Sequence, residues 1–309
     1  MRVRVRDTPT PGPGQILVRQ EAIGVNFIDV YRRTGLYTVE LPSVPGMEGA
    51  GTTEAVGPGI RDLRVGDRVA YANVPGTYAE AVLVPAGMAV RLPDSVSFDQ
   101  AAAAMLQGMT AHYLGLDTYP IRKGDTVLVH AAAGGVGLLL VQVARMRGAR
   151  VIATVSTREK AELARNAGAE EIVLYLEQDF RAEVNRITDG RGVQAVYDSV
   201  GRATFLKSLD CLAPRGMMIS FGQSSGKVEA MEPGILSTKG SLYLTRPTLG
   251  HYIADQASLQ RRAADVLEWV AGGKLHLRIG ATFPLAEAAE AHRQLEGRKT
   301  TGKLLLIPL

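Results

Sequence analysis

From Met1 to about Pro93 the chain is a succession of short β-branched runs, ILVRQEAIGV, GAGTTEAVG, GDRVAYA, YAEAVLV and MAVRLP, separated by Gly and Pro. This pattern predicts short strands throughout. In Gln15 to Arg19 and Met88 to Leu92 apolar positions alternate, placing one face of each strand on a small core. At Phe98 the period changes: SFDQAAAAMLQGMTAHYLGL is rich in Ala and Leu, with Ser97 placed to cap a helix. Strands and helices then alternate. DTVLVHA, RVIATV, EIVLY, VQAVYD, MMISFG and SLYLT read as strands. Helices are expected over Gly135 to Arg147, Thr157 to Asn166, Asp179 to Thr188 and Arg202 to Cys211. Six strands joined by crossovers of this length predict a parallel sheet with helices on both faces, an α/β fold. Past Gly250 the alternation stops. A helix from Asp255 to Gly272, a strand near Lys274 to Gly280, a helix from Leu285 to Glu296 and a final strand LLLIP most simply return to the first domain. The expected organisation is residues 1–108 with 250–309 as one domain and 109–249 as a second, inserted in it.

Composition narrows the class. Hydrophobic residues are 46% and charged residues 21% of 309, ordinary for a globular protein, which excludes disordered, collagen-like and coiled-coil classes. Glycine departs from the norm, with 34 residues against a usual share of ~7%. Lys plus Arg exceed Asp plus Glu by 35 to 31, compatible with an anionic ligand but not the excess of a dedicated nucleic-acid binder. Cys211 is the only cysteine, so disulfide scaffolds and zinc ribbons are excluded. The opening MRVRVRDTPTPGPG carries no apolar core of a signal peptide, and no window reaches the ~18 apolar residues of a membrane helix. The expectation is a cytoplasmic protein with no membrane contact.

The glycines concentrate meaning in one place. DTVLVHAAAGGVGLLLVQVARMRGARVIATV reads strand, tight turn, helix, strand, and within the turn Ala132-x-Gly134-x-x-Gly137 keeps the second and third glycines of the dinucleotide fingerprint. The second lets the backbone reach a pyrophosphate, the third lets helix and strand pack closely, and the helix amino terminus offers N–H groups and a positive dipole. The bland alternative is a turn needed only for packing. A protein selective for NAD carries an acid about 20 residues past the turn. Here the second strand ends Val155-Ser156-Thr157 without one, and Arg158 and Lys160 follow, so NADPH is expected. The bland alternative is that these cations are solvated residues in the first turns of a helix, beside Glu159 and Glu162.

A catalytic metal is not expected. His112, His130, His251, His276 and His292 lie outside C-x-x-C and H-E-x-x-H contexts, and the segment up to Pro93 contains neither His nor Cys. His130 reads as a satisfied core residue ending a strand, and Cys211 as an inert helical thiol.

These residues, with AIGVNFIDVYRRTGLY, PGMEGAG, VGDRVAY, GMTAHYL, HAAAGGVG, VYDSVG, SFGQSSG, SLYLTRP and TGKLLLIP, resemble the zinc-independent quinone oxidoreductases (ζ-crystallin-like) of the medium-chain dehydrogenase/reductase superfamily, over almost the whole chain. The resemblance implies a GroES-like β-rich catalytic domain from both termini, an inserted Rossmann domain with a doubly wound six-stranded sheet, and NADPH as cofactor. It implies that Asn26, Asp29, Tyr31 and Tyr37 line the nicotinamide and substrate end, with Thr110 near the carboxamide. Gly134, Gly135 and Val136 match the pyrophosphate turn. Ser156, Lys160 and Tyr175 match the surroundings of the 2′-phosphate, and Ser199, Phe221, Gly222, Ser224, Arg246 and Lys303 match further cofactor contacts. Met47-Glu48 stands where zinc-containing relatives place a His-Glu pair. Read singly, the tyrosines could be boundary aromatics, and Asn26 and Asp29 capping residues.

The chain starts within what the resemblance makes a second strand, so an exposed edge is expected at Val3 to Val5, blunted by Arg2, Arg4 and Arg6. The implied activity is metal-free hydride transfer to a quinone or related conjugated carbonyl, with Tyr31 and Tyr37 as candidates to polarise its oxygen. Reduction of an alkenal or enoyl C=C bond is the alternative within the fold, and NADPH-regulated RNA binding the alternative outside catalysis. No Lys/Arg run with interleaved aromatics supports a nucleic-acid groove. The family also implies a homodimer through the last strand of the inserted domain, about Ser241 to Thr245.

Overall fold

The structure is a computed structural model that describes residues 1–308. In chain order the first elements are β1 (Gln15–Val25), α1 (Phe27–Arg33), β2 (Glu48–Val56), β3 (Arg68–Ala72), β4 (Ala81–Pro85), β5 (Val90–Arg91) and α2 (Phe98–Tyr113). A parallel series follows: β6 (Thr126–Val129), α3 (Gly135–Met146), β7 (Arg150–Val155), α4 (Arg158–Ala167), β8 (Glu171–Leu174), α5 (Phe180–Ile187), β9 (Val193–Asp198), α6 (Phe205–Leu209), β10 (Leu212–Ser220), α7 (Gly234–Thr238) and β11 (Tyr243–Thr245). The chain closes with α8 (Leu249–Tyr252), α9 (Gln256–Ala271), β12 (Ile279–Pro284), α10 (Ala288–Glu296) and β13 (Lys303–Ile307). Two compact units result, Met1–Met109 with Tyr252–Leu309, and Thr110–His251.

The first unit is built on a seven-stranded sheet in the order β12-β13-β1-β2-β3-β5, with β4 also pairing β1. Both chain ends meet in it: β13 lies antiparallel to β1, Ile23 opposite Leu306 and Val25 opposite Leu304. Strand β1 changes register at Leu17/Val18 and at Gln20/Ala22. These bulges bend it so that it can serve two apolar clusters. Ile16, Val18, Val69, Tyr71 and Val84 fill one, while Ile23, Val25, Ala291, Leu304 and Leu306 fill the other. At the start of α2, Ser97 Oγ accepts from the Gln100 N–H (3.2 Å) and Gln100 Oε1 accepts from the Ser97 N–H (3.0 Å). This reciprocal capping box satisfies two otherwise orphaned donors.

The second unit carries a six-stranded parallel sheet in the order β11-β10-β9-β6-β7-β8. Successive strands are laid outward from β6 in both directions, which makes it doubly wound with its switch point between β6 and β9. Its strands are buried on both faces, and Leu128, Ile152, Val173, Val196 and Met218 lie in one core with Phe180, Val184 and Leu209 of the covering helices.

Three local expectations are corrected. Residues 1–14 form no strand, and Val3 and Val5 are 73% and 98% exposed, so the expected edge is an unpaired segment. The helix expected from Arg202 shrinks to Phe205–Leu209, because Asp198 Oδ1 accepts from the Val200 and Gly201 N–H groups (2.6 and 3.0 Å) and holds a turn there. The strand expected from Lys274 begins at Ile279. The alternating KLHLR run is used to close α9, where the Lys274 and Leu275 N–H groups both donate to the Trp269 carbonyl (2.8 and 3.0 Å). Among the described residues no helix is long and apolar enough to cross a membrane.

Candidate active site

In the parallel unit the turn after β6 is tight enough to put Ala131 at φ +49°. Its carbonyl accepts from the Gly134 N–H (2.8 Å), and Gly134, extended at φ −77° and ψ 173°, caps α3. A Cβ on Gly137 would meet the Ala131 carbonyl oxygen and stand 2.8 Å from Ala132 Cα, so only glycine lets the helix lie this close to the turn. The first-turn N–H groups of Gly135, Val136 and Gly137 have no intrahelical carbonyl to bond, as in any α-helix. Gly134, Gly135 and Val136 are half-buried. The turn can therefore present backbone donors and dipole to an anion.

The other expected cofactor residues of this unit gather at the same carboxyl edge of the sheet. Ser156 follows β7, and Thr157 caps α4 by accepting from the Lys160 N–H (3.3 Å). Tyr175 follows β8, its N–H donating to the Val155 carbonyl (3.1 Å), so Ser156 and Tyr175 end adjacent strands. Across the switch point, Ser199 ends β9 and Gly222 packs onto it so closely that a Cβ would stand 2.6 Å from the Ser199 carbonyl oxygen. The Phe221 N–H donates to Asp198, the Ser224 N–H to Ser199, and Arg246 Nη1 to the Ser220 carbonyl (2.8 Å). Thr110 is buried in α2. Asp198, which the sequence reading did not single out, anchors this edge: besides the turn, its Oδ2 accepts from Thr204 Oγ1 (2.8 Å). His130 is buried between Thr154 Oγ1 (2.8 Å) and Ser208 Oγ (2.9 Å), a satisfied core histidine that burial pushes below its ordinary pKa. Cys211 follows α6, buried, with desolvation raising its thiol to about 12, which makes it inert as a nucleophile at neutral pH.

In the first unit, Asn26 and Asp29 stand at the start of α1. The Asn26 N–H donates to Asp29 Oδ2 (2.9 Å), so the carboxylate satisfies a donor at the helix terminus. The Asn26 side chain is committed elsewhere: Nδ2 donates to Glu48 Oε1 (2.6 Å), and Oδ1 accepts from Gln107 Nε2 (3.2 Å) and Lys303 Nζ (3.0 Å). Lys303, a cofactor contact by resemblance, is buried with its ammonium paired to Glu48, whose other oxygen accepts from the Leu106 N–H (2.7 Å). Buried ions are tolerable only when paired and hydrogen-bonded, as both are here. Tyr31, buried, and Tyr37, half-buried, stack edge to face with centroids 5.3 Å apart.

Asp29 is fully buried, and desolvation raises its carboxyl to about 7 against the bonds from Asn26 and Tyr78 that lower it. Tyr78 Oη donates to Asp29 Oδ2 (3.1 Å) and meets His292 Nε2 at 3.0 Å. Gln107, Tyr78 and His292 were not singled out as site residues from the sequence. His292 carried one signal, a ring on a helix whose neighbours Ala288 and Ala291 face a core. Among the described residues no three His, Cys, Asp or Glu side chains gather as a metal-binding group.

Residues 12–94 match the family model of the alcohol dehydrogenase GroES-like domain, and residues 135–269 that of the zinc-binding dehydrogenases. The chain is 50% identical over 300 residues to a quinone oxidoreductase of Pseudomonas aeruginosa, covering 96% of this chain and 92% of the relative. It is 45% identical to a 2-haloacrylate reductase of a Burkholderia species, covering 97% and 92%. The crystal structure of Escherichia coli quinone oxidoreductase complexed with NADPH superposes with a TM-score of 0.96 at 45% identity, over 98% of this chain and 95% of that one. The chain belongs to the quinone oxidoreductase family of the medium-chain dehydrogenase/reductase superfamily.

Proposed function

We propose that the protein is an NADPH-dependent reductase that delivers hydride to a quinone or a related conjugated carbonyl. The observation that carries this reading is the assembly at the carboxyl edge of the parallel sheet, where a glycine turn at the switch point is flanked by Ser156 and Tyr175 on one side and Ser199 and Gly222 on the other. That is where open α/β sheets bind dinucleotides. The residues fit the cofactor: Gly134 lets the backbone come close, the N–H groups of Gly135 and Val136 suit a pyrophosphate, and Ser156 and Lys160 suit a 2′-phosphate where an NAD-selective protein carries a carboxylate. When bound, NADPH supplies the hydride. The protein's own task is to orient donor and acceptor and exclude water.

In this reading Phe221, Ser224 and Arg246 extend the cofactor edge, and Thr110 serves the carboxamide. The Glu48–Lys303 pair fixes Asn26, while Tyr31 and Tyr37 face the acceptor. The unit formed by both termini is the catalytic domain, and the unit between is the nucleotide-binding domain. The relative that reduces 2-haloacrylate supports a second reading, reduction of an activated C=C bond. NADPH oxidation against a panel of quinones and enones, with NADH as control and products identified, separates the two. Faster turnover with NADH, or none with any acceptor, refutes the proposal. We also infer a cytoplasmic homodimer. Strand β11 is the edge of its sheet and exposes Tyr243 (57%) and Leu244, an apolar edge of the kind covered by a second copy. Sedimentation as a monomer at micromolar concentration refutes the dimer.

A further inference from the structure

A hydrogen-bonded chain runs through the first unit from α10 to the start of α1, and its direction is fixed by chemistry. Arg33 Nε lies 3.2 Å from His292 Nδ1, and a guanidinium only donates, so Nδ1 is the acceptor and the single ring proton sits on Nε2. His292 is neutral: burial and the positive charges of Arg33 and the amino terminus hold its pKa down to about 4. Nε2–H therefore donates to Tyr78 Oη (3.0 Å), which leaves the phenol proton to go to Asp29 Oδ2 (3.1 Å). The rings of Tyr78 and His292 meet edge to face at 5.7 Å. Glu296 Oε2, 2.6 Å from Arg33 Nη2, completes the mounting from α10. From Arg33 Nε through His292 Nε2–H to the Tyr78 hydroxyl, each donor points toward Asp29.

At its far end Asp29 is buried completely. Oδ2 takes the Tyr78 hydroxyl and the Asn26 N–H, and Oδ1 has no hydrogen-bond partner among the described residues. A buried carboxylate so sparsely satisfied is close to taking up a proton. Besides the Asn26 N–H, the side chains that act on its charge are Tyr78 through its hydroxyl and Lys303 from β13, which favour the ion, and Glu48 from β2, which disfavours it. Of these, Tyr78 touches it directly. Protonation would weaken the grip of Oδ2 on the Asn26 N–H, the residue whose side chain joins Glu48, Gln107 and Lys303.

We propose that Tyr78 and His292 are positioning residues of the reductase site: they form a one-way relay of donors that holds Asp29 as the carboxylate and, through it, fixes Asn26 at the head of α1. The proposal rests on the reductase reading above, and no chemistry is assigned to Tyr78 or His292 themselves. Their effect is on the pH at which the site is assembled.

The test is the pH profile of kcat/KM for NADPH with 1,4-naphthoquinone, paired with a carboxyl carbon-13 NMR titration of Asp29, assigned by its loss in Asp29→Asn. In the wild type, activity rises with pH through the Asp29 midpoint. Tyr78→Phe removes the direct donor and moves both the NMR midpoint and the rising limb upward by about one pH unit, a tenfold loss of the ionised fraction below the limb. His292→Leu moves them in the same direction. His292→Gln, which can accept from Arg33 and donate to Tyr78, restores the wild-type limb, and this pair serves even if Tyr78→Phe fails to fold. The proposal is overturned if the NMR midpoint is unmoved in the variants that fold, if it moves and the activity limb does not follow, or if His292→Gln and His292→Leu behave alike. Wild-type protein that oxidises NADPH with no quinone or enone refutes the reductase reading instead, and the relay is then judged on the NMR midpoint alone.

Discussion

Gly137 lies against the backbone of Ala131 and Ala132 so closely that a methyl group at its Cα would strike the Ala131 carbonyl oxygen and approach Ala132 Cα to 2.8 Å. Both obstacles are backbone, with no flexible side chain to swing aside. Gly137→Ala therefore lifts α3 from the turn, at a cost of about 1–3 kcal/mol for overpacking. Thermal unfolding reads the stability loss, and NADPH titration reads at least a tenfold weaker Kd. A variant with wild-type Tm and Kd would contradict the assigned role of the third glycine.

Lys160 lies in the first turn of α4, just past the end of β7 where Ser156 stands. Lys160→Ala removes a charge that suits a 2′-phosphate and nothing that suits a 2′-hydroxyl. KM for NADPH is expected to rise about tenfold, the ~1.4 kcal/mol of a charge-assisted contact, with KM for NADH unchanged. Equal losses for both cofactors would assign Lys160 to folding.

Lys303 and Glu48 form a buried pair, so removing one partner strands the other charge. Lys303→Met is expected to destabilise the protein by about 3–5 kcal/mol. Lys303→Met with Glu48→Gln should cost less than Lys303→Met alone, because the orphaned charge is gone. Denaturant unfolding of the wild type, the two single variants and the double variant measures the coupling, and simple additivity would refute it.

Asp29 and His292 act in opposite senses on stability as pH changes. Asp29, raised to about 7, keeps its proton in the folded state where the unfolded chain has lost it, so its contribution falls as pH rises from about 4 to 7. His292, lowered to about 4, is neutral when folded where the unfolded chain is protonated, so its contribution rises between about pH 4 and 6.5. In the wild type the two largely cancel between those limits. Asp29→Asn should make stability climb more steeply with pH over this window, and His292→Gln should make it fall. Urea unfolding at pH 4.5, 5.5 and 6.5 reads the slopes, and parallel curves for all three proteins would refute the assignment.

What the sequence made legible was local. The glycine turn, the cap at Ser97 and the alternation of strands and helices follow from short stretches of neighbouring residues, and the structure places them as read. The run Lys274 to Arg278 misled because alternation also suits a segment folding back on Trp269. The helix expected from Arg202 was shortened by Asp198, whose carboxylate holds Val200 and Gly201 in a turn. The relay to Asp29 was invisible for another reason. Tyr78 and His292 are 214 positions apart, and no pattern within either segment marks its partner.

The pairing of β13 with β1 has a consequence for how the molecule is made. Strand β1 leaves the ribosome long before β13, so Val25 waits for Leu304. The intervening sheet of β6 to β11 draws no strand from outside its own stretch, so it can fold as a unit during synthesis. Asn26 gains Lys303, and Asp29 the donor chain that passes through His292, only after α10 and β13 have been made. A nascent chain can thus finish its parallel sheet well before the residues that complete the first unit have emerged.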